Sequence, residues 1–340
     1  MRLLSTNTKT LRLHEFPTDI PEYVILSHTW LDAGEVQFED IEKPEVHNLP
    51  GYSKLLAACR QAMNDGFEWI WIDTCCINKN SSAELSEAIN SMYSWYWQAE
   101  ICYAYLVDVP ANEDHTTPKS SFAKSRWWTR GWTLQELLAP AILEFYDSKW
   151  NRIGTKSSLI KSITAVTNIE ERHLLNRETI HESTIAAIFS WASTRKTTRV
   201  EDIAYCLLGL VRVNIPLLYG EGSRAFYRLQ LELLNQTAEH TIFAWDPMTN
   251  RGLRISLPRL PYQQSDGDFI AILNCRRGKG EFVGIKLKYI SREQYCRVPG
   301  SRTILLTSNE VFGNYPYTIY IPAESRLRTG ILKSRNRKPS

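Results

Sequence analysis

Tyr23-Val24-Ile25-Leu26-Ser27-His28-Thr29-Trp30 begins with apolar side chains on both faces and ends on a hydroxyl, an imidazole and an indole. A run with no polar face suits a strand buried between helices, as in a parallel sheet. Three more such runs follow: Glu68-Trp69-Ile70-Trp71-Ile72-Asp73, Ile101-Cys102-Tyr103-Ala104-Tyr105-Leu106-Val107, and Ile142-Leu143-Glu144-Phe145-Tyr146. The segments between them are helix-compatible. Leu55, Cys59, Ala62 and Met63 recur at helical spacing before Gly66, a stop signal. Ser81 and Glu84 form a capping-box pair, after which Leu85, Ile89, Met92 and Tyr96 line one helix face. Trp128 to Ala139 is the third helix-compatible segment, closed by Pro140. Four strands alternate with three helices, which predicts an α/β domain over residues 1–150: a doubly wound, mostly parallel sheet with right-handed crossovers.

Outward from this sheet the texture changes twice. Residues 151–245 read as a helical region packed on it, with helices over Ser157–Val166, Thr184–Ser193, Val200–Leu210 and Ser223–Gln236. Residues 246–325 hold short alternating runs (Phe269–Leu273, Phe282–Ile285, Thr303–Leu306, Tyr317–Ile321), the pattern of a small antiparallel β module. Asn112 to Ser125 is polar and reads as an exposed loop. A basic tail, 326–340, carries Arg326, Arg328, Lys333, Arg335, Arg337 and Lys338 with no acid. Without these six charges the formal +3 of the chain becomes −3 for the remainder, so the body has no basic footprint for nucleic acid, and the tail reads as a solvated end.

Hydrophobic residues at 43% and charged residues at 23% describe a globular chain of 340 residues, long enough for a sizeable core. Seven cysteines, an odd set without regular spacing, argue for a reducing compartment over a disulfide framework. The first sixteen residues lack the apolar segment of a signal peptide, and no run reaches the ~18 residues of a membrane span. A cytoplasmic protein is expected.

In a doubly wound sheet, ligands bind beyond the carboxyl ends of the strands. Ser27, His28 and Trp30 fall there after the first run, Asp73, Cys75 and Cys76 after the second, Asp108 after the third and Asp147 after the fourth. A carboxylate ending a strand often only caps the next turn, which is the plainer reading of Asp108 and Asp147. Cys75 with His28 is a conceivable nucleophile–base pair, against which stands the inertness of most buried thiols. The densest segment is Ser125-Arg126-Trp127-Trp128-Thr129-Arg130-Gly131-Trp132-Thr133-Leu134-Gln135-Glu136-Leu137. Trp132 and Glu136 are four apart and share a helix face. An indole beside a carboxylate suits a ligand with a flat ring and a sugar: the ring stacks, and the carboxylate holds a hydroxyl or an oxocarbenium-like centre. The rival is an ion pair of Glu136 with Arg130 or Arg126 and a core role for Trp132. In the later helical region, Arg199, Glu201 and Asp202 read either as a cap with an ion pair or as a contribution of Arg199 to the crevice. No P-loop, GxGxxG, GxSxG, HExxH or paired CxxC is present, and no metal site is expected.

These segments together resemble the fungal HET (heterokaryon incompatibility) domain. The resemblance lies in Tyr23–Trp30, in Trp71-Ile72-Asp73-Thr74-Cys75-Cys76-Ile77-Asn78, in Ala83–Tyr93 and in Arg130–Leu137. Thr198–Gly209 and Leu218-Tyr219-Gly220-Glu221-Gly222 resemble the helical region that follows this domain in vegetative incompatibility proteins. The resemblance runs from Met1 to about Trp245. It implies an effector of regulated cell death, triggered when genetically different hyphae fuse. HET domains are similar in turn to TIR domains, whose enzymatic members cleave NAD at the bond to nicotinamide, so a TIR- or flavodoxin-like fold is implied. Trp132-Thr133-Leu134-Gln135-Glu136-Leu137 keeps the Trp-to-Glu interval of the TIR signature, with Thr133 where a cysteine is usual.

That likeness assigns Glu136 as catalytic acid, with Asp73 orienting the loop that covers the site. It sets Ser27 and His28 near a diphosphate, Trp30 or Trp132 against a base, and Arg130 among the ligand contacts. NAD is then a substrate and no resident cofactor is implied. A non-enzymatic reading stays open beside it, in which the same surface self-associates on activation and recruits partners. Related proteins often join a HET domain to a NACHT- or STAND-type receptor module, so a partner of that kind is a further expectation.

Overall fold

Leu3 and Leu4, Val24 to Leu26, Ile70 to Ile72, Cys102 to Ala104 and Phe145 are each at most 1% exposed, and these stretches of apolar chain become the strands of one sheet. The computed structural model describes residues 1–115, 117 and 119–236, and beyond them six strands between 253 and 321. By internal packing the chain divides into two units, Met1–Thr237 and Ala238–Ser340.

In the first unit β1 (Arg2–Ser5), β2 (Leu13–Glu15) and β3 (Val24–His28) are followed by helix α1 (Tyr52–Asn64), β4 (Trp69–Ile72) and the short α2 (Asp73–Cys76). Helix α3 (Ser82–Gln98) leads to β5 (Cys102–Tyr105), then α4 (Ser121–Lys124), α5 (Thr133–Leu138), β6 (Leu143–Tyr146) and β7 (Arg152–Thr155). Five helices close the unit: α6 (Ile160–Thr167), α7 (Glu171–Leu175), α8 (Ile185–Ala192), α9 (Asp202–Tyr205) and α10 (Arg224–Gln236). The seven-stranded sheet has the order β2-β1-β4-β3-β5-β6-β7. Its four central strands are the expected ones and run parallel, with Ile25 opposite Trp71, Leu26 opposite Tyr103 and Ala104 opposite Phe145. The central order, with β3 flanked by β4 and β5, creates a switch point beside the carboxyl end of β3.

Three strands were not expected, and all three pair antiparallel, β2 and β7 as the two edges and β1 between β2 and β4, so the sheet is mixed. β2 and β7 are short and no residue of either is buried, so they lack the apolar signal of the centre. β7 also carries the sheet past residue 150. Other expectations shift in detail. Met63 points outward at 50% exposure, and Lys54 is buried on the inner face of α1 instead. Ser81 caps α3 by accepting from the Glu84 amide, but the Glu84 carboxylate turns to the Asn78 amide and to Arg2, so the box does not close. Trp128–Ala139 is not one helix: a 3-10 turn over Arg126–Thr129 buries Trp127 and Trp128, and α5 begins at Thr133. The polar 112–125 segment includes α4, whose Phe122 is fully buried against Trp128 and Phe145. Val200–Leu210 is helical only over α9.

The turn after α9 packs directly on α3. A Cβ at Gly209 would lie 2.1 Å from Tyr93 Cβ, an atom that no rotamer change can move aside, and 2.4 Å from its Cγ. Gly209→Ala is therefore expected to cost about 1–3 kcal/mol, the usual range for overpacking. For a unit of this size that corresponds to a fall in Tm on the order of 5 °C. A thermal melt decides it, and an unchanged Tm would mean that the turn yields freely.

In the second unit the described strands are β8 (Leu253–Pro261), β9 (Phe269–Arg277), β10 (Glu281–Ser291), β11 (Gln294–Arg297), β12 (Ile304–Leu306) and β13 (Pro316–Ile321). They form a six-stranded sheet in the order β11-β13-β8-β9-β10-β12, with β11 also paired to β10. All pairings are antiparallel except β11 with β13, a correction to the purely antiparallel module. β8 and β11 were not foreseen. The basic tail, 326–340, lies outside the described residues. Among the described residues no helix is long and apolar enough to cross a membrane.

Candidate functional site

Strand β3 delivers Ser27 and His28 to the carboxyl edge of the sheet, and because successive residues face opposite sides the two take separate tasks. Ser27 is fully buried. Its hydroxyl donates to Glu136 Oε2 at 2.5 Å and accepts from Trp127 Nε1 at 2.8 Å. The indole thus orients the hydroxyl and the hydroxyl orients the carboxyl. Glu136 is placed by α5, in whose first turns it lies, and is 8% exposed. Burial raises its pKa to about 8; the Ser27 hydrogen bond and the charges of Arg130 and Arg195 oppose the rise, and Asp73 adds to it. Arg195 is held behind the site, donating to the Arg130 carbonyl at 2.9 Å and to Thr133 Oγ1 at 2.8 Å.

His28 meets Asp73, the residue that follows β4, at 3.0 Å from Nε2 to Oδ1. Trp30 Nε1 donates to the other oxygen of Asp73 at 2.8 Å, and Lys79 Nζ sits 3.9 Å from the Trp30 ring centroid. Although burial pushes the Asp73 pKa up, the His28 hydrogen bond and charge, Lys79 and the Trp30 indole outweigh it and hold it at about 2. Burial and then the charge of Lys54 lower the His28 pKa. A neutral imidazole facing an ionised carboxylate keeps its proton on Nε2. Nδ1 is left as a buried lone pair with no hydrogen-bond partner among the described residues.

Around these groups lies a cavity of about 270 Å³. His28, Trp30, Asp73 and Glu136 line one side of it, with Arg130 and Trp132 on the approach to α5. Ile77, Leu85, Ile89 and Met92 from α3 and the turn before it supply an apolar wall. The helical region closes the remaining side with Lys196 to Arg199, Asp202 and Tyr219. The two parts are stitched by backbone: the Lys196 amide donates to Thr129 O at 2.6 Å and the Gly131 amide to Lys196 O at 2.9 Å. Gly131 sits close against this segment: a Cβ there would come within 2.5 Å of Thr197 Cγ2, so the threonine would have to shift.

Of the residues singled out in the sequence, His28, Trp30, Asp73, Arg130, Trp132 and Glu136 line this cavity. Ser27 does not; it is fully buried beneath Glu136, to which its hydroxyl donates. Glu136 forms no ion pair with Arg130 or Arg126 within 4 Å, and Trp132 is half-buried while Trp127 and Trp128 are the core indoles. Asp108 accepts from the Ser125 hydroxyl and the Arg126 amide, and Asp147 from the Lys149 and Asn151 amides, so both are turn caps. Cys75 is fully buried with its thiol toward the Ile72 carbonyl, and its pKa is raised by a hydrogen bond with Cys76 and by burial, which makes it a poor nucleophile. Arg199 does reach the crevice. Sequence reasoning did not find Lys79, Lys196, Asp202 or Tyr219 as site residues. The motifs Thr198–Gly209 and Leu218–Gly222 contained two of them, but spacing alone gave no sign that they fold back over the sheet. Among the described residues no cluster of three His, Cys, Asp or Glu side chains could hold a metal ion.

Comparison with known proteins bears on the same segments. Residues 23–119 match the family model described as heterokaryon incompatibility protein (HET). The chain is 43% identical over 217 residues to the vegetative incompatibility protein HET-E-1 of Podospora anserina, a match covering 62% of this chain and 16% of that protein. No solved structure matches.

Proposed function

We propose, from the match of residues 23–119 to the heterokaryon incompatibility (HET) family model, that the chain is an effector of vegetative incompatibility that triggers regulated cell death by cleaving NAD at the nicotinamide–ribose bond. The observation that carries the reading is Glu136: a carboxyl group 8% exposed, on a cavity wall shared with Trp132, with one oxygen fixed by Ser27. Its four-residue interval from Trp132, which resembles the TIR signature, supports the same role.

In this reaction the bond from the ribose C1′ to the ring nitrogen breaks, and its electron pair neutralises the pyridinium as nicotinamide leaves. Water adds to C1′ and loses a proton, giving ADP-ribose. The Glu136 carboxylate accepts a ribose hydroxyl and stabilises the positive charge that grows on the sugar. In the free protein Glu136 holds its proton up to about pH 8. A cationic nicotinamide ring beside it favours the ionised form, so substrate binding itself prepares the carboxylate. Asp73, ionised and held by His28 and Trp30, keeps the indole of Trp30 at the cavity wall.

The test is nicotinamide release from NAD by the purified chain, followed by chromatography. Absence of release above a blank ends the glycosidic reading. Given turnover, kcat/KM is expected to rise with pH to a plateau above about 8, as Glu136 ionises. Ser27→Ala removes the hydrogen bond that lowers this pKa, so the rising limb should move to higher pH. A purely structural Ser27 would lower the rate and leave the limb in place.

A second reading, an oligomerising module that recruits a receptor partner, is favoured by exposed Val200, Ile203 and Leu218 near α9. Light scattering with and without NAD separates the two: self-association with no NAD loss supports the module.

A further inference from the structure

The wall that the helical region adds to the cavity carries groups that bond cleavage at Glu136 does not use. Lys196 and Arg199 are exposed on it, and Lys79 and Arg130 stand elsewhere around the same cavity. None of these four cations has a carboxylate within 4 Å among the described residues. Unpaired positive charge gathered on a concave surface favours a multiply charged anion. Lys79 is already hydrogen-bonded, to Gln37 Oε1 at 3.2 Å, which leaves Arg130, Lys196 and Arg199.

Beside these cations Asp202, 9% exposed, accepts the Tyr219 hydroxyl at 3.0 Å; burial raises its pKa, and Tyr219 and then the Trp132 indole oppose that rise. One buried carboxylate thus anchors Tyr219, in a cavity that Trp132 also lines. Arg199 adds its guanidinium 4.4 Å from the Tyr219 ring centroid. Rings locked by their polar edges give a planar heterocycle a surface to stack on at little entropic cost.

We propose that this wall is a nucleoside diphosphate site, in which Arg130, Lys196 and Arg199 hold the phosphates, and Tyr219, anchored by Asp202, holds the base together with Trp132. The proposal rests on the NAD reading only for orientation, the reacting ribose lying toward Glu136. It makes a dinucleotide the preferred substrate class over a mononucleotide, and gives the helical region a share in specificity.

The probe is ADP, which has the base and diphosphate but no scissile bond, titrated calorimetrically into the full chain beside inorganic pyrophosphate. ADP should bind, and more weakly as salt is raised. Lys196→Gln with Arg199→Gln, two exposed positions, should weaken ADP and pyrophosphate alike by roughly tenfold or more. Arg60→Gln with Lys124→Gln, which removes the same charge elsewhere, should not. Asp202→Asn should weaken ADP several-fold and leave pyrophosphate unchanged. Failure of ADP to bind the unaltered chain, or equal binding by the Lys196/Arg199 variant, overturns the site. ADP binding of the expected pattern without NAD cleavage sinks the enzymatic reading and keeps this one; NAD cleavage with ADP binding indifferent to these changes does the reverse.

Discussion

Glu136→Gln is expected to cut NAD turnover by roughly 10²–10⁴-fold, the range for losing a positioned acid–base or charge-stabilising group, and at the same time to make the protein more stable above neutral pH. The second effect follows from the same burial as the first. The pKa of Glu136 is raised from its ordinary 4.5 to about 8, first by burial. The folded chain therefore binds more protons than the unfolded chain between these values. Stability falls as pH rises through that window and is unaffected by this group below it. A glutamine has nearly the same shape, can still accept from Ser27, and cannot ionise. Melting temperatures of variant and parent should coincide near pH 5, with the variant higher by several degrees near pH 8.5. A gap of the same size at both pH values would show that Glu136 does not titrate in this window. A carboxylate kept in so dry a place against its own stability is what a functional site looks like.

How much of this was legible in the sequence depends on what kind of signal each part carries. The four central strands were, because Val24–Leu26 and Ile70–Ile72 have no wet face and nothing but a buried parallel sheet accommodates them. The edges were not: β2 and β7 are held by pairing with a neighbour rather than by their own apolar content. Placing Ser27, His28, Asp73 and Trp30 at one edge required only the rule that ligands gather beyond strand ends. Bringing in Glu136 required the resemblance, since spacing alone allowed an ion pair with arginine. Asp202 and Tyr219 lay beyond either argument. They reach the cavity because the Lys196 backbone pairs with Thr129 and Gly131, a non-local contact that no periodicity announces. Ser27 was misjudged for a related reason. A residue on a strand end can face the crevice or the layer beneath it, and the indole of Trp127, a hundred residues away, decides that it faces the layer beneath.

Lys54→Met is expected to be among the most damaging single changes, by about 3–5 kcal/mol, because it strands a buried carboxylate. Lys54 Nζ donates to Glu35 Oε1 at 2.5 Å, and the two residues are 7% and 8% exposed. The same oxygen accepts the Leu31 amide at 2.7 Å and lies 3.9 Å from His28 Nδ1. Removing Lys54 leaves Glu35 with one neutral donor, and it also removes a charge that, after burial, keeps the His28 pKa low. Asp73 and Glu35 then both pull that pKa upward. An imidazolium at His28 would present its Nδ1 proton to Glu35 and replace part of the missing cation. A histidine whose folded pKa is raised contributes stability below its unfolded pKa and loses it as pH climbs through the folded one. The loss caused by Lys54→Met should accordingly be larger at pH 8 than at pH 6 in urea melts. Equal losses at the two pH values would sever His28 from the Lys54–Glu35 pair. Glu35→Gln added to Lys54→Met should recover most of the stability at pH 8, since the amide still accepts from Leu31 and needs no counter-charge. If it does not, the missing lysine stem rather than the orphaned charge is what the fold cannot spare.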